Sequence, residues 1–231
     1  TPVEYCWMFS SSLQLYLLEK NPSLDMIAYL DADLYFYASP DPIYCEFGAS
    51  SIMIIPHRFS KRDKWREKES GIYNVGMMIF RNDANALEAL RWWKDRVIEW
   101  CYYRYEDDSS NRAGHGKLGD QLYLNDWPTR FKGVHVLKNP GANVASWNIE
   151  EFLDSGAPLI FYHFHGLKIY RGSGGIIKAY PRTIHDRAIY KPYIKSLNEA
   201  YGMTRSFDPL WTYGLVKELD IFRTIKQYIG L

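Results

Sequence analysis

Two carboxylates one residue apart close an apolar run. Residues 27 to 44 read IAYLDADLYFYASPDPIY, in which Ile27, Ala28, Tyr29 and Leu30 lead into Asp31 and Asp33 with only Ala32 between them. Such a run suits a strand buried on both faces, where an unpaired carboxylate costs several kcal/mol. Side chains at i and i+2 of a strand share a face, so the two carboxylates point together and repel unless a proton or a cation lies between them. A hard divalent ion such as Mg²⁺ or Mn²⁺, which takes carboxylate oxygens together with substrate phosphates, compensates both. The D-x-D triplet is a short motif that arises by chance; its place at the carboxyl end of a strand, where open α/β sheets bind ligands, gives it weight.

Two further stretches carry chemistry-bearing side chains. In FYHFHGLK, residues 161 to 168, His163 and His165 alternate with Tyr162 and Phe164, so both imidazoles leave one face of an apolar strand, followed by Gly166 and Lys168. One imidazole could complete a metal shell and the lysine could hold a phosphate. Core histidines bonded to backbone would give the same pattern. In GDQLYLNDW, residues 119 to 127, Asp120, Gln121 and Asn125 interrupt an apolar-periodic segment, either as helix caps or as ligand contacts. Aromatic residues make up 16% of the chain, with 19 Tyr and 8 Trp, which fits an aromatic-rich core or, in part, the lining of a sugar cleft.

These groups need a scaffold. Ser11 and Gln14 have capping-box spacing, and Leu13, Tyr16 and Leu17 then share a helical face until Lys20, Asn21 and Pro22 stop it. Apolar runs at 27–30, 51–56, 73–81, about 133–138 and 158–164 predict strands, and Ala84 to Arg104 predicts a long helix. The charged segment 59–71 reads as a solvated loop or short exposed helix, and the polar, glycine-rich 105–119 as a mobile loop with the length of a lid. Strands alternating with helices indicate an α/β domain with a mostly parallel sheet over residues 1–186, followed by a helical C-terminal appendage over 187–231.

Composition narrows the functions. A chain of 231 residues can bury a substantial core. Lys plus Arg at 28 balance Asp plus Glu at 27, so no global field draws nucleic acid or an acidic membrane. Cys6, Cys45 and Cys101 are odd in number and far apart, which argues against a disulfide framework or zinc ribbon and fits a reducing cytoplasm. No apolar run is long enough to span a bilayer. The chain is expected to be cytoplasmic and at most peripheral to a membrane, at its inner face.

The ordered set YLDADLYFYASPDPIY, YNVGMMIF, GDQLYLND and HFHGLK resembles the GT-A glycosyltransferases, and is similar to glycosyltransferase family 8 over roughly residues 10 to 170. The resemblance implies a GT-A-like fold. It implies that Asp31, Asp33 and His163 are the metal ligands, for Mn²⁺ or Mg²⁺. Asn74 and Gly76 would contact the donor sugar, Asp120 and Gln121 would flank the anomeric carbon, and Gly166 and Lys168 would meet the departing diphosphate. His165 falls at a position that varies in the family pattern. Three features depart from that pattern. The chain starts at the helix before the D-x-D strand, without the family's opening nucleotide-binding strand. That helix shows Leu13, Tyr16 and Leu17 where family members often carry a basic residue. LKIYRG replaces the usual lysine-proline-tryptophan.

The implied activity is transfer of a sugar, with retention of configuration, from a nucleotide-diphosphate donor to an acceptor hydroxyl on a glycan or a lipid-linked acceptor. Two other readings use the same groups. A metal-dependent phosphohydrolase or nucleotidyltransferase would need further acidic ligands, for which Glu106, Asp107 and Asp108 are the nearest offer. A non-catalytic sugar- or nucleotide-binding domain would keep the aromatics without the metal set.

Overall fold

The computed structural model describes residues 1–106, 117–169, 177–178 and 186–215. The chain divides into two compact units, Thr1–His163 and Phe164–Leu231.

In the first unit the elements run α1 (Pro2–Lys20), β1 (Met26–Leu30), β2 (Leu34–Phe36), α2 (Asp41–Phe47), β3 (Ile52–Pro56), α3 (Glu67–Ser70), β4 (Tyr73–Arg81), α4 (Ala84–Glu99), α5 (Trp127–Arg130), β5 (Val134–Val136), α6 (Ile149–Ser155) and β6 (Phe161–His163). A turn of 3₁₀ helix, Leu122–Asp126, leads into α5. In the second unit, β7 (Lys168–Ile169) pairs with β8 (Ile177–Lys178), and α7 spans Asp186–Phe207. Tyr190 and Tyr193 of α7 pack on Phe164 with ring centroids 4.8 and 3.9 Å apart. The rest of the expected C-terminal helix, 216–231, lies outside the described residues.

The expectation of an α/β domain with a sheet flanked by helices holds. The main sheet has the order β1-β4-β3-β5. Its strand directions correct the expectation of a mostly parallel sheet. β4 is antiparallel to both neighbours, β1 and β3, and only β3–β5 is a parallel pair. Thus β1, β3 and β5 point one way and β4 is inserted against them. Nothing in an apolar run sets its direction; the connections do, and the chain enters β4 from the end of the sheet that β3 has just reached.

β4 is covered on both faces, which explains its uninterrupted apolar run YNVGMMIFR. Met78 and Phe80 join Leu15 and Leu18 of α1, Leu90, Trp93 and Val97 of α4, and Trp127 in one cluster. Met77 and Ile79 face the opposite way, with Ile43 and Phe47 of α2, Leu137, Ile160 and Phe161. Trp93 is fully buried and its Nε1–H donates to the Asp120 carbonyl at 2.9 Å, so the polar tip of the ring is satisfied inside the core.

Helix α1 differs from expectation. It begins at Pro2, where the Glu4 N–H donates to Thr1 Oγ1 at 3.4 Å, and Ser11 and Gln14 are buried mid-helix rather than capping. Its inward face is Ser11, Gln14, Leu15 and Leu18, whereas Leu13 and Tyr16 are exposed. With Ser10 also buried, three polar residues lie inward and hid the periodicity. The segment 59–71 is also less solvated than its charge suggests, because Phe59, Ser60 and Asp63 are buried.

Candidate functional site

Asp31 and Asp33 lie in the turn between β1 and β2, not on a strand. The Asp31 N–H donates to the Gly76 carbonyl at 2.8 Å, which ties the end of β1 to β4. Past the turn, β2 pairs antiparallel with β6 and sets Leu34 opposite His163. This register delivers an imidazole from the end of the unit to the carboxylates. His163 Nε2 is 3.2 Å from Asp33 Oδ1 and 3.8 Å from Asp31 Oδ2. Ligand atoms bonded to one ion at about 2.0–2.2 Å stand roughly 3–4 Å apart, so Asp33 and His163 are spaced to share a divalent cation; among the described residues the third group whose ligand atom lies within 4.8 Å of both is His165, not Asp31.

Asp31 and His163 are held from behind. The Tyr29 hydroxyl donates to Asp31 Oδ1 at 2.6 Å. Burial pushes the Asp31 carboxyl above its ordinary range, against the opposing effects of the Tyr29 hydrogen bond and of His163, with Asp33 adding to the rise. Burial and the neighbouring Asp31 carboxylate also raise the Tyr29 hydroxyl, which stays protonated and keeps donating. The His163 ring lies over Gly76, where a Cβ would stand 2.9 Å from Nδ1 and 3.0 Å from Cε1. Asn143 Oδ1 is 3.3 Å from His163 Nδ1, and Trp147 meets the ring edge-on with centroids 5.4 Å apart.

Asn74 is buried; its Oδ1 accepts from the Gly76 N–H at 2.9 Å and its amide faces His57 Nε2 at 3.4 Å. The β3–β4 register shifts at this place, between Met53 and Ile55. Asn74 and Gly76 therefore shape the floor under His163. His57 is fully buried, and desolvation pulls it down to about 3, so it is a neutral ring stacked on Phe59 at 4.5 Å.

Asp120 is brought within electrostatic reach of Asp31. Burial pushes its carboxyl up to about 7, opposed by the Ser10 hydrogen bond and reinforced by Asp31. Ser10 Oγ lies 2.7 Å from Asp120 Oδ2 and 2.6 Å from the Trp7 carbonyl. The Ser10 hydroxyl thus has one proton for these two acceptors. Gln121 donates through Nε2 to the Ser70 carbonyl at 2.6 Å, and Asn125 Oδ1 accepts from the Ile72 N–H at 2.8 Å. The side chains of this segment thus join it to neighbouring elements rather than capping a helix.

Gly166 and Lys168 belong to the second unit; Lys168 opens β7 opposite Lys178, and His165 is exposed in the turn before it. Residues 107–116 of the expected lid, with Asp107 and Asp108, lie outside the described residues. The base of that loop is closed by Glu106 and Lys117, which exchange backbone hydrogen bonds of 3.0 and 2.6 Å.

Sequence reasoning missed Tyr29, Ser10, His57 and Asn143. Tyr29 was within reach of the i, i+2 argument applied to Asp31. Ser10 and Asn143 gave no local signal, because their partners are far along the chain.

No protein-family model matches the chain. Among solved structures, a glycosyltransferase involved in the glycosylation of the major capsid of PBCV-1 is similar over 69% of this chain and 70% of its own, at 17% identity and a TM-score of 0.45. Mouse xyloside xylosyltransferase 1, in its apo form, is similar over 69% of this chain and 63% of its own, at 17% identity and a TM-score of 0.40. In sequence, the chain is 34% identical over 182 residues to the uncharacterized protein YfnF of Bacillus subtilis (strain 168), covering 72% of this chain and 57% of that protein, less than two thirds of its length. It is 33% identical over 227 residues to the uncharacterized protein YfnD of the same organism, covering 92% of this chain and 70% of YfnD. With that identity sustained over most of both proteins, the chain belongs to the family of YfnD.

Proposed function

We propose that the protein is a metal-dependent glycosyltransferase that moves a sugar from a nucleotide-diphosphate donor to an acceptor hydroxyl of a glycan or a lipid-linked molecule, with retention of configuration. The observation that carries this reading is the placement of His163 Nε2 3.2 Å from Asp33 Oδ1 and 3.8 Å from Asp31 Oδ2 at the end of β1. The set would hold Mn²⁺ or Mg²⁺, which when bound neutralises negative charge on a diphosphate leaving group. Breaking the anomeric C–O bond leaves positive charge on the sugar and negative charge on the diphosphate, so holding the leaving group is the protein's main task.

Asp120 and Gln121 would flank the reacting carbon. At neutral pH Asp120 is poised between its two forms, and its ionised form would oppose the positive charge developing on the sugar ring. Gln121, with its amide hydrogens turned to Ser70, would present its carbonyl oxygen. Asn74 and Gly76 would meet the donor sugar from the β4 side. The three free thiols of Cys6, Cys45 and Cys101 suit a reducing cytoplasm, and no described helix is long and apolar enough to cross a membrane.

The test is incubation with a panel of sugar nucleotides and Mn²⁺. Slow release of free sugar that depends on the metal supports the transferase. Release of phosphate or pyrophosphate from simple nucleotides would favour a phosphohydrolase or nucleotidyltransferase, and binding without turnover a sugar- or nucleotide-binding module.

A further inference from the structure

We propose that Asn143 is a positioning residue that sets the tautomer and orientation of His163, so that Nε2 presents a lone pair to the cation. The assignment rests on the metal-site reading above and adds to it a residue that touches neither ion nor substrate. An imidazole that binds a metal through Nε2 must carry its proton on Nδ1. Asn143 Oδ1, 3.3 Å from Nδ1, is placed to accept that proton.

Both partners are referenced to the same short piece of backbone. The His163 N–H donates to the Val144 carbonyl at 2.8 Å, and the Val144 N–H to the Phe161 carbonyl at 3.2 Å. Asn143 stands next to this ladder in the left-handed region, with φ +59, a conformation that asparagine tolerates better than most side chains. Asn148 fixes it there: its Nδ2 donates to the Asn143 carbonyl at 3.0 Å and to the His57 carbonyl at 2.7 Å, while its Oδ1 accepts from the Ala145 N–H at 2.8 Å.

The network closes on itself. His57 faces Asn74, Asn74 accepts from Gly76, and Gly76 is the floor on which the His163 ring lies. Trp147 closes the remaining edge, and its Nε1–H donates to the His57 carbonyl at 3.0 Å. The ring is therefore held by an amide on one side, a Cβ-free backbone beneath and an indole at its edge. Groups that hold the non-ligating nitrogen of a metal-binding histidine typically change metal affinity by about 10–100-fold when removed.

The test separates the Asn143 side chain from its backbone role. Asn143→Gly keeps the left-handed residue unstrained but removes the acceptor, and Asn143→Asp keeps an acceptor. Long-range proton–nitrogen correlation spectra of the metal-free protein in mildly alkaline buffer report the His163 tautomer, and Mn²⁺ titration reports affinity. The His163 signals are those lost in His163→Gln. Wild type and Asn143→Asp are expected to hold a larger share of the Nδ1–H form than Asn143→Gly, with the carboxylates beside Nε2 drawing the remainder to that nitrogen. Asn143→Gly should shift toward Nε2–H and bind Mn²⁺ about 10–100-fold more weakly. An Asn143→Gly protein with the wild-type tautomer balance and the wild-type affinity would overturn the assignment. If wild type binds no Mn²⁺ while the tautomer still follows Asn143, the ion reading falls and the positioning role stands.

Discussion

Asp33 Oδ1 and His163 Nε2 lie 3.2 Å apart, although one residue follows the first strand of the unit and the other ends its last. The contact is a consequence of register. With Leu34 opposite His163, the residue before Leu34 must come alongside the imidazole. A slip of one residue would turn His163 to the other face of the pair.

Replacing Asp33 by Asn removes one negative ligand from a partly exposed turn that packs no core. Folding stability should change by less than about 1 kcal/mol, while transfer falls at least roughly a hundredfold, the several kcal/mol that a bound Lewis acid supplies. Thermal unfolding and initial rates on one preparation check both halves. Unchanged rates would sink the metal role of Asp33.

Chelation gives the matching reagent test. Treatment with EDTA should abolish transfer, and Mn²⁺ should restore it without refolding, since the first unit has a core of its own on both faces of the sheet. Activity that survives complete chelation would contradict the role given to Asp31, Asp33 and His163.

Gly76→Ala places a methyl 2.5 Å from Asn74 Oδ1 and 2.9 Å from His163 Nδ1. Overpacking of this kind typically costs about 1–3 kcal/mol, and both the Asn74 amide and the His163 ring must shift to admit the methyl. The expected result is a lowered denaturant midpoint together with weakened Mn²⁺ binding. A drop in stability with unaltered Mn²⁺ affinity would show that the ring is not held against Gly76.

Gly141→Ala acts on the same site from a distance. A Cβ there would meet the Pro158 carbonyl oxygen at 2.0 Å, while the Gly141 carbonyl accepts from the Ile160 and Phe161 N–H groups at the entry to β6. The clash is with backbone and must displace the strand that carries His163. A destabilisation of more than about 3 kcal/mol is expected, at the upper end for steric insertion, with metal binding lost in whatever fraction folds. Wild-type unfolding curves for this variant would contradict the close approach.

Asp120 predicts a pH dependence with a definite sign. Its carboxyl is raised from 3.8 to about 7 in the folded chain, so the folded state binds that proton more tightly than the unfolded state does. This contribution to stability is complete below about pH 4 and is lost as pH rises to about 7. The full swing is on the order of 4 kcal/mol at most, from 1.36 kcal/mol per pH unit. In metal-free buffer, Asp120→Asn should lack this decline, gaining on the wild type as pH rises from 4 to 7 in urea melts. Parallel stability profiles for the two proteins would mean that Asp120 is ionised when buried.

The residue types of the candidate site were legible in the sequence because they stand at short spacings. The apolar run into Asp31 and Asp33, and His163 at the end of another apolar run, are local patterns. So was the uninterrupted β4, whose nine residues were read at their observed bounds. Strand direction was not local: β4 reads equally well either way, and the connections around it decided that it opposes β1 and β3. The inward face of α1 was hidden because Ser11 and Gln14 occupy it, and only the packed structure supplies their surroundings. Asn143 beside His163, and Ser10 beside Asp120, rest on contacts between residues distant in the chain. Sequence determined which groups could bind an ion. Tertiary structure decided which are held in position to do so, because the direction of a side chain is fixed by what packs behind it.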